Sequence, residues 1–385
     1  MEIQLAEQFS HFFGHPHTKT CFAPGRVNLI GEHIDYNGGL VMPCAITHGT
    51  YLLLAPNDDR VYRFRSLNFE ASLEIDIKKE GYSKMGANWY NYPLGVIDRL
   101  IKAGHIPGGV DMMFWGNIPI GSGLSSSASI EVVTAFALNE LMGAGISRLD
   151  LVKHTKDVEN IFIGLNSGIM DQFAVAFGEK NKAIQLNCDT LDYTLVDCDL
   201  GDYLLAIINT NKLRALAESK YNERVMECNE ALKALQSALT VQYLCDIDAD
   251  AFARHQHLIS NDIVRKRAKH VVEENARVQQ AAKALAGGDL TAFGRLMYAS
   301  HASLRYLYEV SGKELDAIVD YCSTNKQVAG ARMTGAGFGG CAIALVRKDS
   351  FDAFSEGLIQ YYQEKIGYVP SVYSSSIGDG VKALD

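Results

Sequence analysis

The chain has no apolar run long enough to cross a bilayer. Its longest candidates, residues 203–208 and 341–346, are of strand length, against the ~18–20 residues that a span needs. Residues 1–13 carry Glu2 and Glu7 and lack the basic stretch and apolar segment of a secretory signal. The expected setting is therefore cytoplasmic. The eight cysteines include no C-x-x-C pair and fall far below the density of a disulfide scaffold. Reduced, mostly buried thiols are expected. Proline and glycine show no linker-like concentration, and no repeat or low-complexity tract is present. Basic charge is in deficit: 36 Lys+Arg against 45 Asp+Glu leaves a net charge of −9. That balance argues against nucleic acid or an anionic membrane as a main partner, while leaving room for a local anion site.

What is present is an ordinary globular mix, 48% hydrophobic and 21% charged over 385 residues. A single core stops growing near ~250–300 residues, so two lobes are expected. We place them at residues 1–200 and 201–385, with the boundary near 190–210. Strand-like and helix-like stretches alternate, which gives a mixed α and β class. The first 200 residues hold short apolar runs such as 51–55, 110–115 and 183–186. One clear helix interrupts them over 125–142, where Ile130, Val133, Thr134, Ala137, Leu138 and Leu141 fall at helical spacing. Helices are expected over 213–235, 263–285, 290–308, 314–322 and 351–366. Asp289, after Gly287 and Gly288, is placed to cap the helix that follows.

Three stretches carry chemistry. In the first, residues 23–39, Arg26, Glu32, His33 and Asp35 fall within ten residues among glycines. Paired donors and acceptors of this kind suit a polyhydroxylated ligand, whose hydroxyls both give and take hydrogen bonds. A solvated turn with a structural ion pair is the plainer alternative. The second stretch, 119–129, runs from a strand-like segment through glycines and serines into the 125–142 helix. Strand, glycine loop and helix N-terminus together form a phosphate-binding arrangement. No Gly-Lys-Ser/Thr follows, so it is not a Walker A loop, and Ser126 breaks the dinucleotide fingerprint. A serine-capped helix start is the alternative here. In the third stretch, Gly335, Gly337 and Gly340 formally match G-x-G-x-x-G. A strand-like run follows instead of a helix, which rejects a dinucleotide site. Either a second backbone loop beside the phosphate loop or a glycine-rich hairpin remains.

Two further segments matter. Glu159 and Asp171 lie twelve residues apart around a glycine turn. One could bind a metal while the other takes a proton from a nucleophile, or both could serve as caps and ion pairs. Tyr221 opens a polar helix and is, taken alone, equally a packing residue.

Together these residues are recognisable. Residues 25–37 resemble the galactokinase signature, and 168–173 and 219–224 point the same way. Residues 121–129 and 332–340 resemble the second and third motifs of the GHMP small-molecule kinase superfamily. The resemblance runs from about residue 21 to 346. It implies an α+β, two-lobed GHMP kinase fold with its active site in the cleft between lobes. It further implies ATP-dependent phosphorylation of the anomeric hydroxyl of α-D-galactose, with ATP and Mg²⁺ required and neither nucleic acid nor membrane as partner. By the same resemblance Asp171 matches the catalytic base and Arg26 the transition-state stabiliser. Glu32, His33, Ile34, Asp35, Gly168 and Tyr221 match sugar-binding positions. Gly121, Ser122, Gly123, Leu124, Ser125, Ser126 and Ser127 match the phosphate loop, with Ser66 and Trp89 near the adenine. Ser127 and Glu159 match the Mg²⁺ ligands. Ile34 stands where the family more often has threonine, and Ser122 where alanine is common. A related kinase for N-acetylgalactosamine or L-arabinose, and a non-enzymatic sugar sensor on the same scaffold, are the competing readings.

Overall fold

Three sheets and the helices laid over them make up the computed structural model, which describes residues 2–119, 122–165, 167–212 and 217–384. The strand Pro43–Asn57 is the spine of a six-stranded sheet and lies between Lys19–Asn28 and Gly109–Gly116. Its side chains alternate between two cores, as the period of a strand requires. Leu52 and Leu54 join the main core, whereas Leu53 and Ala55 face Leu5, Phe9 and Met113 under the helix Glu2–Phe13. Val61–Ser66 lies parallel to Gly109–Gly116, and Leu73–Asp76 closes that edge. The opposite edge is Lys382–Ala383, so the end of the chain returns to the first sheet.

A second, fully antiparallel sheet runs Val328–Thr334, Cys341–Arg347, Tyr203–Asn209, Ser371–Ser375. A small third sheet joins Leu40–Val41, Lys182–Asn187 and Tyr193–Asp197. The helix Ser126–Met142 packs on Lys19–Asn28 and Pro43–Asn57. Ala128, Val132, Val133, Ala135, Ala137 and Leu138 are all buried. Apolar residues around the whole circumference mark a core helix and fix the position of its N-terminus.

Asp289 caps its helix as expected, accepting from the Ala292 amide at 2.8 Å. The expected 290–308 helix changes character, however. Regular α-helix ends at Ser303, and Leu304–Tyr308 widens to a π-turn. A second π segment, Val158–Ile163, follows the helix Arg148–Asp157. Such widened turns have no distinct apolar spacing, and they frequently accompany functional sites. The helix expected from 213 is described over Ala217–Leu235; residues 213–216 lie outside the described residues. No helix among the described residues is long and apolar enough to cross a membrane. The eight cysteines are free thiols, six of them buried.

One polar clamp ties the two large sheets together. Thr334 Oγ1 accepts from the Asn28 amide at 3.0 Å and donates to the Asn28 carbonyl at 3.1 Å. Arg332 Nη1 donates to the same carbonyl at 3.1 Å. The first and third glycine-rich stretches are thereby held side by side.

Candidate active site

Arg26 sits where the register of Lys19–Asn28 shifts against Pro43–Asn57. This irregularity turns its side chain toward the start of the helix Ser126–Met142. Gly25 makes the approach possible, since a Cβ there would stand 2.7 Å from the Leu124 carbonyl. The Arg26 amide donates to that same carbonyl at 3.1 Å. The guanidinium then grips Asp171 with two parallel bonds, Nε to Oδ1 and Nη2 to Oδ2, both 2.8 Å. Its remaining Nη1 donates to the Gly123 carbonyl at 2.9 Å. Bidentate pairing of this kind fixes direction as well as distance.

Ser125 departs from a simple helix cap. Its backbone is left-handed at φ 59° and its side chain makes no capping bond. Instead Ser125 Oγ donates to Asp171 Oδ2 at 2.5 Å. A non-glycine residue in this conformation persists only where its surroundings over-determine it. Here the helix N-terminus and the carboxylate do so together.

Ser127 Oγ donates to Glu159 Oε1 at 2.7 Å, and Ser167 Oγ donates to Glu159 Oε2 at 2.6 Å. Glu159 is buried in the Val158–Ile163 π-turn. Among the described residues no group of three or more His, Cys, Asp or Glu side chains is placed to hold a metal ion. A hydroxyl beside a carboxylate suits Mg²⁺, which prefers hard oxygens and takes few protein ligands when phosphates supply the rest. Burial and the Glu159 charge push nearby Glu131 well above the usual carboxylate range.

Glu32, His33 and Asp35 form the turn after Lys19–Asn28. Glu32 Oε1 accepts from the Gly335 amide at 2.7 Å. Burial pushes its carboxyl up, against the pull of Arg332 and Arg26. His33 has φ 63°. Burial, helped by neighbouring His270, lowers its ring to about 3, so it is neutral. Asp35 is pushed up to about 7, first by burial and then by the charges of Asp171 and Glu32. Gly168 leaves the room that Asp35 occupies, because a Cβ there would overlap its carboxylate.

These groups line a cavity of about 310 Å³ together with Tyr221, Asn222 and Ala336. Beyond the phosphate loop lies a second cavity of about 170 Å³, bounded by Ser66, Asn68, Phe69, Trp89, Ser126 and Ser127. Phe69 and Trp89 lie nearly parallel, their ring planes 18° apart. A polar pocket and a flat aromatic slot therefore flank one serine turn.

Arg26, Glu32, His33, Asp35, Gly168, Asp171 and Tyr221 thus meet around one cavity, and Ser66 and Trp89 around the other. Gly123 and Leu124 take part through their carbonyls. Ser122 is buried behind the loop, and Gly121 lies outside the described residues. Ile34 is not brought to the cavity. Its side chain is fully buried in the core, and only its carbonyl shapes the turn, accepting from the Asn37 and Gly39 amides. The third glycine stretch packs beside the phosphate loop, a Cβ on Gly335 falling 3.4 Å from the Gly123 carbonyl. Arg332, Ser167, Tyr36, Tyr308 and His270 carry part of the site without having been assigned a role. Arg332 and Tyr36 lie inside the stretches 332–340 and 25–37, and Ser167 between Glu159 and Asp171; Tyr308 and His270 lie in none of these.

Fold and site together define a small-molecule kinase of the GHMP class. Residues 91–179 and 281–364 match the family models for the GHMP kinase N-terminal domain and C-terminal region, and residues 7–56 match the galactokinase galactose-binding signature. A galactokinase of Streptococcus suis is 50% identical over 99% of this chain and 98% of that protein. One from Streptococcus thermophilus is 51% identical over 99% of each. The crystal structure of Lactococcus lactis galactokinase complexed with galactose superposes with a TM-score of 0.96 at 46% identity, covering all of both chains. A mevalonate kinase structure shares the fold at TM-score 0.68 and 20% identity, over 94% of this chain and 100% of that one. The chain belongs to the galactokinase family.

Proposed function

We propose that the protein transfers the γ-phosphoryl group of ATP to the anomeric (C1) hydroxyl of α-D-galactose. The products are galactose 1-phosphate and ADP, in the first committed step of galactose catabolism by the Leloir pathway. The observation that carries this reading is Asp171, held by Arg26 and Ser125 at the seam between the polar cavity and the phosphate loop. We read residues 1–200 and 201–385 as the two lobes. In support, the cavity takes Arg26, Asp35 and Asp171 from the first and Tyr221 and Gly335 from the second.

Galactose occupies the polar cavity, with Glu32, His33, Asp35, Gly168 and Tyr221 around its hydroxyls. ATP places its adenine in the aromatic slot beside Ser66 and Trp89 and its phosphates at the glycine- and serine-rich stretch 121–127. Asp171 orients the C1 hydroxyl and takes its proton as that oxygen bonds to the γ-phosphorus. The bond from this phosphorus to the β–γ bridging oxygen breaks, and ADP leaves with that oxygen. Arg26, fixed against Asp171, faces the charge that develops on the transferring group. Ser127 and Glu159 would hold Mg²⁺, which supplies neutralisation of phosphate charge when bound.

The test is ADP release from Mg–ATP with a panel of sugars, for the wild type and Asp171→Ala. Galactose-dependent turnover is expected in the wild type, and the variant should lose roughly 1,000-fold in kcat while still binding ATP. Turnover with another sugar alone would reassign the substrate. Galactose binding without turnover would make the protein a sensor, and near-normal activity of the variant would remove Asp171 from its role.

A further inference from the structure

Behind the polar cavity lies a chain of polar groups whose proton order follows from one backbone carbonyl and a neutral His33 ring. His33 Nε2 stands 3.1 Å from the Ala336 carbonyl, which can only accept, so Nε2 carries the proton. The ring is neutral, and Nδ1 therefore accepts from the Tyr36 hydroxyl at 2.9 Å. With that proton committed, the Tyr36 oxygen accepts from the Tyr308 hydroxyl at 2.8 Å. The Tyr308 oxygen in turn accepts a hydrogen bond from the Cys228 thiol at 3.1 Å. Reversing any link would leave two lone pairs, or two protons, face to face.

Tyr308 also holds a helix. Its carbonyl accepts from Arg224 Nε at 2.8 Å. Tyr221, Arg224 and Cys228 stand at i, i+3 and i+7 of Ala217–Leu235, on one face. One residue thus grips, through its carbonyl and its hydroxyl, the face that presents Tyr221 to the cavity. Tyr308 itself is fully buried and does not line the cavity. Whatever it does to a ligand is done through others.

We infer that Tyr308, acting through Tyr36, is a positioning residue for sugar recognition: it sets the His33 ring and seats the helix that bears Tyr221. The inference rests on reading the polar cavity as the galactose site. It places a determinant of sugar affinity in the π-turn Leu304–Tyr308, outside all three glycine-rich stretches.

Tyr308→Phe removes the hydroxyl and nothing else. Calorimetric titration of the full-length protein with galactose, and separately with ATP, should show galactose Kd raised roughly five- to tenfold, the weight of about one hydrogen bond. ATP Kd should stay within about twofold, since the chain of bonds does not reach the nucleotide slot. Tyr36→Phe should weaken galactose binding similarly, and the double variant no further than the weaker single, because the residues act in series. Side-chain ¹⁵N NMR should show wild-type His33 protonated at Nε2 with a hydrogen-bonded Nδ1, and the Nδ1 signal should move in Tyr308→Phe. If the wild type does not bind galactose, the sugar-site reading falls and this inference with it. If the wild type binds and Tyr308→Phe binds equally well, or loses galactose and ATP affinity alike, or if His33 carries its proton on Nδ1, the inference alone is overturned. Should Tyr308→Phe fail to fold, Cys228→Ala cuts the far end of the chain. A displaced His33 Nδ1 signal with a smaller loss of galactose affinity supports the inference, and an unmoved signal overturns it.

Discussion

The two cavities beside residues 125–127 are built from opposite materials. The larger is walled by buried and half-buried ionisable groups: Arg26, Glu32, Asp35 and Asp171 face one space. The smaller is an aromatic slot whose described lining contains no carboxylate and no histidine. The polar pocket is held by bonds between side chains far apart in sequence. Arg26 reaches across 145 residues to Asp171, and the Gly335 amide across 303 residues to Glu32. The slot is held by packing, Trp89 on Phe114 with ring centroids 5.4 Å apart. A hexose offers mainly hydroxyls, so a site for it must place fixed donors and acceptors and accept the cost of burying them. An adenine offers a flat face, and stacking on it needs shape more than alignment. The polar side should therefore fail steeply when one atom is displaced, and the aromatic side gradually.

Gly168→Ala breaks the comparison hardest. The added methyl would overlap the Asp35 carboxylate, and the short aspartate side chain has only to swing aside to relieve it. The fold should survive while the acceptor leaves its place. Losing the hydrogen bonds of both carboxyl oxygens costs about 3 kcal/mol, so galactose Kd should rise roughly 100-fold. ATP Kd should be unchanged. Equal weakening of both ligands, measured by titration, would show that the two cavities are not independent.

Trp89→Ala tests the other side. Stacking on an aromatic side chain contributes about 1–3 kcal/mol per base, so ATP KM should rise roughly tenfold with galactose KM unaltered. The Trp89 indole also donates to the Ala71 carbonyl at 2.7 Å. Trp89→Phe keeps a ring and loses that bond, and an intermediate KM would separate stacking from anchoring. A galactose KM that moved with the ATP KM would contradict the assignment of the slot.

How legible all this was depends on whether the chemistry is local. Arg26, Glu32, His33 and Asp35 lie on one short stretch, and the serine turn opens a long apolar helix, so both could be read from residues in a row. The helix 125–142 is legible to within a residue because a core helix, apolar on nearly every side, is a long apolar run with no glycine or proline inside it. Ser125 was not legible in its actual use. A serine before a helix reads as a cap, and only its left-handed backbone turns the hydroxyl to Asp171. Ile34, embedded in the sugar signature, points into the core instead. Tyr308, Arg224 and His270 matter through partners dozens to hundreds of residues away. Neither π-turn could be foreseen, since a single widened turn leaves no periodic signal.

A separate effect, on stability and not on ligand affinity, concerns the carboxyl beside Gly168. Asp35 has an ordinary carboxyl value of 3.8, which its folded environment raises to about 7. Between those values the folded protein keeps a proton that the unfolded chain has released. Stability from this group is therefore full below about pH 4 and declines as pH rises toward 7. Asp35→Asn removes that decline. The melting temperature of the ligand-free variant, minus that of the wild type, should grow from pH 4.5 to 7 and level off above it. Trp89→Ala, in a slot without carboxylates, should shift the melting temperature by the same amount at every pH in that range. Parallel curves for Asp35→Asn and the wild type would mean that the charge is not buried at a cost, and the contrast between the two cavities would lose its electrostatic half.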